Sequence, residues 1–304
     1  MMLDCAIIGG GPAGLNAALV LGRARRNVIL FDDNKPRNAV TQESHGFITR
    51  DGVKPSEFRA IAHQDIAKYP SVQFRGGRVA QVIKQGEDGR AFQLVTDSGE
   101  IYHAKNLLLA TGLKEILPEV PGIRDYYGKS VFNCPYCDGW ELRDKPLVIF
   151  SENQHTIHLA KTLYNWTKDV VICTNGKSDV LTPEHKAVLA AKQFRFYEQK
   201  IASLHGTNGM LEKVVFEDGS EVLREGGFTT VGWTQATAFA ETLGLELNPL
   251  QGIVIDVLGR TNVKGVYAAG DMSVSGPAQL INAAAEGSRA AAGVNTDLTE
   301  ADFS

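Results

Sequence analysis

Hydrophobic and polar positions along the chain fall into two copies of one pattern. The first occupies residues 4–32, where CAIIGGGPAGLNAALVLGRARRNVILFD gives a short apolar run, a glycine-rich turn, a helically spaced alanine-rich stretch and a second apolar run. Short apolar runs bounded by turn residues predict buried parallel strands, and the stretch between them predicts a helix. The second copy opens with VIFSENQHTIHLA, 148–160. Its apolar run stops at Ser151, a helical pattern begins near His155, and DVVICT, 169–174, closes the unit.

Other segments alternate differently. Residues 74–112, FRGGRVAQVIKQGEDGRAFQLVTDSGEIYHAKNLLLATG, read as an antiparallel meander with turns at GEDG, 86–89, and DSGE, 97–100. A strand pair is expected over 211–217 and 221–223 around EDGS, and helices over 56–68 and 281–293. The Pro/Gly-punctuated 112–128 reads as a crossing and hinge. The expected fold class is α/β, with two Rossmann-like nucleotide-binding domains of three layers, each a parallel sheet plus an antiparallel β-meander. The second domain, 118–243, is inserted in the first, 1–117 and 244–304.

Composition narrows the class. With 304 residues, 43% hydrophobic and 22% charged, the chain suits a two-domain globular protein. No apolar run is long enough for a membrane span, and MMLDCAIIGGG enters a strand at once, so a cytoplasmic setting is expected. The formal net charge is -4 and no Lys/Arg block stands out, which argues against nucleic acid as the main partner. Cys5 and Cys173 lie inside apolar runs and read as small buried hydrophobes.

The chemistry is concentrated at three places. Gly9, Gly11 and Gly14 fit G-x-G-x-x-G: a sharp turn, close backbone approach of a pyrophosphate, and close helix–strand packing. Asp32 ends the second strand, where an acid can bond a ribose hydroxyl. TNVKGVYAAGD, 261–271, puts Gly270-Asp271 at another strand end. The helix after it starts near Ala278 and Gln279, whose N–H groups and positive dipole end suit the edge of a flavin that becomes anionic on reduction. Finally, Cys134-Pro135-Tyr136-Cys137 fits thiol–disulfide exchange, which needs one thiolate to attack and one to leave. Zinc would need two more ligands. No second C-x-x-C appears, and His155 and His158 read as partly exposed polar positions.

GGGPAG, LLLATG at 107–112, CPYCDGWE and the late AAGD together resemble the low-molecular-weight thioredoxin reductases over nearly the whole chain. The resemblance implies bound FAD held by Gly9, Gly11, Pro12, Ala13, Gly14, Asp32, Thr111, Gly112, Gly270, Asp271, Ala278 and Gln279. It also implies a homodimer and a thioredoxin-like protein or a small disulfide or dithiol as partner. Cys137 would face the flavin, Cys134 would meet the substrate disulfide, and Asp138 would handle a proton. Asp138 also suits helix N-capping. Gly139 allows close backbone approach, and Trp140 reads as packing. His45, in the polar segment 41–55, reads as a flavin contact or proton donor, or as a solvated loop residue.

The chain departs from that family at the second turn. Ser151, Asn153 and Thr156 stand where glycines or a small residue belong, and Glu152 carries a charge that repels pyrophosphate. Only Lys177 follows the next strand as a cation. Each missing phosphate contact forfeits about 1.5–3 kcal/mol, so loss of NADPH is expected. The alternative is a diverged loop that binds it through Ser151, Asn153 and Lys177. Electrons would then come from a ferredoxin-type protein or a second flavin. Two further readings stay open: an O₂-dependent dithiol oxidase like relatives in sulfur natural-product pathways, and a redox-sensing flavoprotein. Those oxidases often carry histidine after the second cysteine, so Asp138 points back to the reductases.

Overall fold

In the computed structural model, which describes residues 2–85, 91–274 and 276–304, β1 (Met2–Ile8), α1 (Pro12–Arg23) and β2 (Val28–Asp32) form the first strand–turn–helix–strand unit. Then come α2 (Pro55–Ile66), β3 (Val72–Gly76), β4 (Val79–Gln85), β5 (Ala91–Thr96), β6 (Ile101–Leu109) and β7 (Leu113–Ile116). The expected GEDG turn lies outside the described residues. The DSGE turn is closed by Thr96 and Glu100, with Gly99 at φ +84.

The sheet order is β3-β2-β1-β6-β5-β4. Strand β6 joins two kinds of pairing. Its first residues pair antiparallel with β5, Ala104 opposite Phe92, while from His103 onward it runs parallel to β1, Ile8 opposite Leu109. Both faces of β1 and β2 are covered, which is why these strands read as continuous apolar runs rather than alternating ones. Cys5, Ile7, Val28 and Leu30 pack towards α1. Leu3, Ala6, Ile29 and Phe31 pack with Val82, Phe92 and Leu94 of the meander. A slip of one residue would exchange these faces.

The next stretch repeats the architecture with α3 (Ile123–Tyr126), β8 (Val131–Phe132), α4 (Pro135–Asp138), β9 (Leu147–Phe150), α5 (Thr156–Leu163), β10 (Val170–Cys173), α6 (Pro183–Ala190), β11 (Arg195–Tyr197), β12 (Ile201–Thr207), β13 (Met210–Phe216), β14 (Glu221–Leu223) and β15 (Gly226–Thr229). The parallel sheet has the order β11-β10-β9-β15-β8, and β12-β13-β14 is antiparallel. Leu147, Ile149, Val170 and Ile172 face α5 and α6. Val148, Phe150, Val171 and Cys173 face Ile201, Val214 and Phe216. Three layers result again.

The chain returns through β16 (Gly232–Gln235), α7 (Phe239–Thr242), β17 (Val266–Ala268) and α8 (Leu280–Asp302). Strand β17 joins the first sheet beside β6. Helix α8 lies against α1 so closely that a Cβ at Gly287 would sit 2.0 Å from the Ala13 carbonyl oxygen, which accounts for the alanine-rich pattern of both helices. It runs 23 residues, beyond the end expected at 293, with Val294 and Leu298 still buried.

The fold divides into two units, 2–39, 46–114 and 233–304 in the first, and 40–45 and 115–232 in the second. Residues 233–243 belong to the first unit, not to the inserted stretch where the sequence placed them. Phe239, Ala240 and Leu243 are buried in the core of the first sheet. Among the described residues, no helix is long and apolar enough to cross a membrane.

Candidate active site and cofactor cradle

Glycine is enforced around the first turn by neighbouring backbone. A Cβ at Gly9 (φ +112) would lie 2.2 Å from the Ala110 carbonyl oxygen, and one at Gly14 would lie 1.9 Å from that of Gly9. Gly11 differs: nothing stands within 4 Å of its Cβ position. The one open glycine is therefore where a pyrophosphate would approach. Pro12 is the first helical residue of α1 and Gly11 its N-cap. Gly10, which sequence reasoning passed over, faces Asp32, whose carboxyl carbon would lie 2.5 Å from a Cβ there.

Each strand-end acid carries an arginine that the sequence did not mark. Arg59 of α2 bonds the Asp32 carboxylate, and its Nε donates to the Gly10 carbonyl at 3.2 Å. Arg37 Nη2 lies 3.0 Å from Asp271 Oδ2, with its guanidinium 5.2 Å from the Trp233 ring centre. Both acids are thus presented with a cation beside them, a charge pattern that suits a dianionic diphosphate between two polyols. Thr111 Oγ1 lies 3.3 Å from Thr237 Oγ1, and Gly112 takes φ +68.

Gly270 (φ +82) packs over Ala13 and donates its N–H to Glu286 Oε2 at 2.8 Å. Ser273 Oγ donates to the same oxygen at 2.9 Å. Glu286 is buried on α8 and anchors the Gly270–Asp271 turn, a role invisible in sequence because its partners lie in a separate loop. Ala278 precedes Gln279, the N-cap of α8, and the Gln279 N–H is taken by the Pro277 carbonyl at 2.8 Å. The Gln279 N–H is therefore not the free donor the sequence suggested; what fits a dinucleotide such as FAD is the open glycine and the two acids near strand ends.

The second unit holds the dithiol. Cys134 and Cys137 form a disulfide with Cα atoms 5.3 Å apart. Cys134 is the N-cap of the single-turn helix α4, and its carbonyl accepts from the N–H of Cys137 and of Asp138. Asp138 is the last residue of α4 and does not cap it. Burial, then the neighbouring Glu141, pushes the Asp138 carboxyl up to about 7, with His45 pulling the other way. Such a group holds a proton at neutral pH and can give it up. Gly139 is required by its surroundings: a Cβ there would sit 2.4 Å from the Pro135 carbonyl oxygen and 2.9 Å from the Trp166 ring.

Trp140 is not a packing residue. It is 65% exposed, and Arg143 stacks over its ring at 4.1 Å. His45 belongs to the second unit, with Nε2 3.6 Å from Glu141 and 3.7 Å from Glu43. The other two thiols are buried, which raises both, Cys173 to about 12, so neither supplies a thiolate.

The second turn is filled from within. Ser151 Oγ lies 2.8 Å from Thr230 Oγ1, Asn153 Nδ2 donates to that hydroxyl at 3.0 Å, and Thr156 Oγ1 donates to Ser151 Oγ at 2.5 Å. Asn153 also occupies the helix start. Its side-chain oxygen accepts the His155 N–H at 3.0 Å and its carbonyl accepts the Thr156 N–H at 3.2 Å. Glu152 accepts from Asn175 Nδ2 at 2.7 Å. Lys177 is exposed, and Thr174 bonds its carbonyl.

Two three-layer nucleotide-type units, a glycine cradle in one and a redox dithiol in the other, define a flavoprotein disulfide oxidoreductase. The chain belongs to the pyridine nucleotide-disulphide oxidoreductase family, which it matches over residues 3–287. It is 31% identical to the thioredoxin reductase aclD of Aspergillus oryzae over 98% of this chain and 96% of that protein. Among solved structures, a candidate thioredoxin reductase of Bacillus anthracis superposes with a TM-score of 0.95 at 48% identity, covering 99% and 100% of the two chains. HlmI superposes with a TM-score of 0.93 at 34% identity, covering 99% and 94%. The protein is a thioredoxin reductase-like enzyme, and the family implies FAD.

Proposed function

We propose that the enzyme reduces a disulfide of a thioredoxin-like protein through Cys134–Cys137, drawing electrons from a donor other than NADPH, such as a ferredoxin-type protein. The observation that carries this is the self-satisfied second turn. The N–H groups of His155 and Thr156, two of the donors a pyrophosphate could use at this helix start, already have Asn153 as partner. Binding would have to break these bonds and place an anion beside Glu152 without gaining the about 1.5–3 kcal/mol each phosphate contact normally supplies. The strand β10 ends in Cys173 with no acid for a ribose.

FAD supplies a two-electron store when bound to Gly9–Gly14 and the two strand-end acids. The dithiol does the exchange. The Cys134 thiolate attacks one sulfur of the partner disulfide. A bond forms between them as the partner S–S bond breaks, and the departing thiolate takes the Asp138 proton. Cys137 then gives its proton to the ionised Asp138 and displaces the partner sulfur from Cys134, re-forming the Cys134–Cys137 disulfide. The second partner thiolate is protonated by solvent. Two electrons have moved from the dithiol to the partner. A cytoplasmic homodimer belongs to the same proposal and rests on the resemblance alone.

Stopped-flow spectroscopy tests it. Micromolar NADPH or NADH is expected to leave the flavin absorbance unchanged, whereas reduced ferredoxin bleaches it and supports reduction of thioredoxin. Rapid bleaching by NADPH would overturn the proposal. Oxygen uptake driven by small dithiols, with no reduction of thioredoxin, would make the enzyme a dithiol oxidase instead.

A further inference from the structure

We propose that His45 and Glu141 are positioning residues that act through Asp138: paired at 3.6 Å beside the dithiol helix, they govern how the Asp138 carboxyl holds and releases the exchange proton. This rests on the proposed function for the step itself, and extends it to two residues outside the C-x-x-C-D motif.

His45 is held rather than loose. Its segment, 40–45, lies within the second unit, and Gly128 (φ +81) is needed to let it pass, since a Cβ there would lie 2.5 Å from the Val40 carbonyl oxygen. Ser44 is buried, and the His45 side chain is 18% exposed. The charges acting on Asp138 come from two directions: Glu141 from the turn after α4, and His45 from segment 40–45. His45 in turn faces Glu43 as well as Glu141.

The two act in opposite senses. An ordinary aspartate is ionised at neutral pH and has no proton to give. Burial and the Glu141 carboxylate disfavour a second negative charge, so Asp138 keeps its proton. His45 acts in the opposite sense and offsets part of that effect, so the carboxylate left after donation is tolerated. The exchange uses Asp138 first as an acid and then as a base. An acid that titrates near the working pH serves both directions.

The test uses the full-length flavoprotein and infrared difference spectroscopy. The protonated-carboxyl band of Asp138 is the one removed by Asp138→Asn. Its titration midpoint is expected near 7 in the unaltered protein. Glu141→Gln should lower that midpoint and His45→Asn should raise it, each by about one pH unit, the order of shift a single neighbouring charge produces. The pH profile of thioredoxin reduction by the reduced protein should move the same way. His45→Gln provides the same comparison if His45→Asn does not fold. Midpoints that stay put, or that move in one direction for both substitutions, would overturn the proposal. Opposite infrared shifts with no reduction of any protein disulfide would instead leave the pair standing and remove the proposed function.

Discussion

Replacing Glu286 separates the cradle's geometry from its charge. The residue is 8% exposed, and one carboxylate oxygen accepts both the Gly270 N–H at 2.8 Å and the Ser273 hydroxyl at 2.9 Å. Two bonds to a charged acceptor contribute about 1.5–3 kcal/mol each. Glu286→Leu removes both and leaves the Gly270 N–H facing apolar surroundings. The loss is not the full sum, because the same substitution relieves the cost of keeping a carboxylate out of water. A net loss of about 2 kcal/mol is expected. Glu286→Gln keeps an acceptor oxygen in place and gives up only the charge, so about 1 kcal/mol is expected.

Because Gly270 fixes the position of Asp271, this cost should appear in cofactor affinity. At about 1.4 kcal/mol per factor of ten, Glu286→Leu should weaken FAD binding about 30-fold and Glu286→Gln about 5-fold. Flavin fluorescence on titrating the deflavinated protein measures both. Wild-type affinity in Glu286→Leu would refute the reasoning, since the turn would then not need its buried anchor. Equal losses in the two variants would refute it too, because charge alone would then account for the effect.

Further outcomes follow from the glycines and from Asp138. Gly14→Ala should cost several kcal/mol of stability, because its Cβ would meet the Gly9 carbonyl oxygen at 1.9 Å, a backbone atom rather than a side chain that could turn aside. Gly11→Ala should leave the melting temperature of the cofactor-free protein unchanged and still weaken FAD binding, since its Cβ points into open space; equal melting losses in both would refute the contrast. The Asp138 carboxyl titrates at about 7 when folded, against 3.8 for an ordinary aspartate. Between those values the folded protein holds a proton that the unfolded chain has lost, so its stability falls as pH rises through that window. Asp138→Asn should therefore outlast the oxidised wild type in denaturant by a margin that grows up to about pH 7 and then levels off. That margin should be on the order of 2–4 kcal/mol; a constant margin across pH would contradict the buried carboxyl.

Period and punctuation carried most of the fold. Strands covered on both faces announce themselves as unbroken apolar runs, and the two strand–turn–helix–strand units were legible for that reason. Boundaries were less so: α7 looked like part of the insertion because nothing local marks Phe239 and Leu243 as partners of a distant sheet. Trp140 was misread because a large aromatic is buried more often than not, and only tertiary structure shows its ring under Arg143 on the surface. Around the first turn, motif spacing singled out the glycines and the acids as candidates but gave no sign of Arg37, Arg59 and Glu286, which reach their partners across 234, 27 and 16 residues.

The second turn shows the limit most clearly. Its missing glycines were plain in the sequence, but a missing glycine predicts only a lost contact and leaves open whether side chains replace it. What fills the turn is Thr230, 79 residues further along from Ser151, whose hydroxyl bonds both Ser151 and Asn153. Asn153 is then placed to hold the N–H groups of His155 and Thr156 at the start of α5. A turn that had merely drifted would leave those donors to solvent, and a phosphate would need to displace only water. Here a ligand must compete with bonds already made inside the protein, at the site where Glu152 adds charge of the wrong sign. Erosion of the glycines and filling of the space are separate facts, and the proposed loss of NADPH rests on the second.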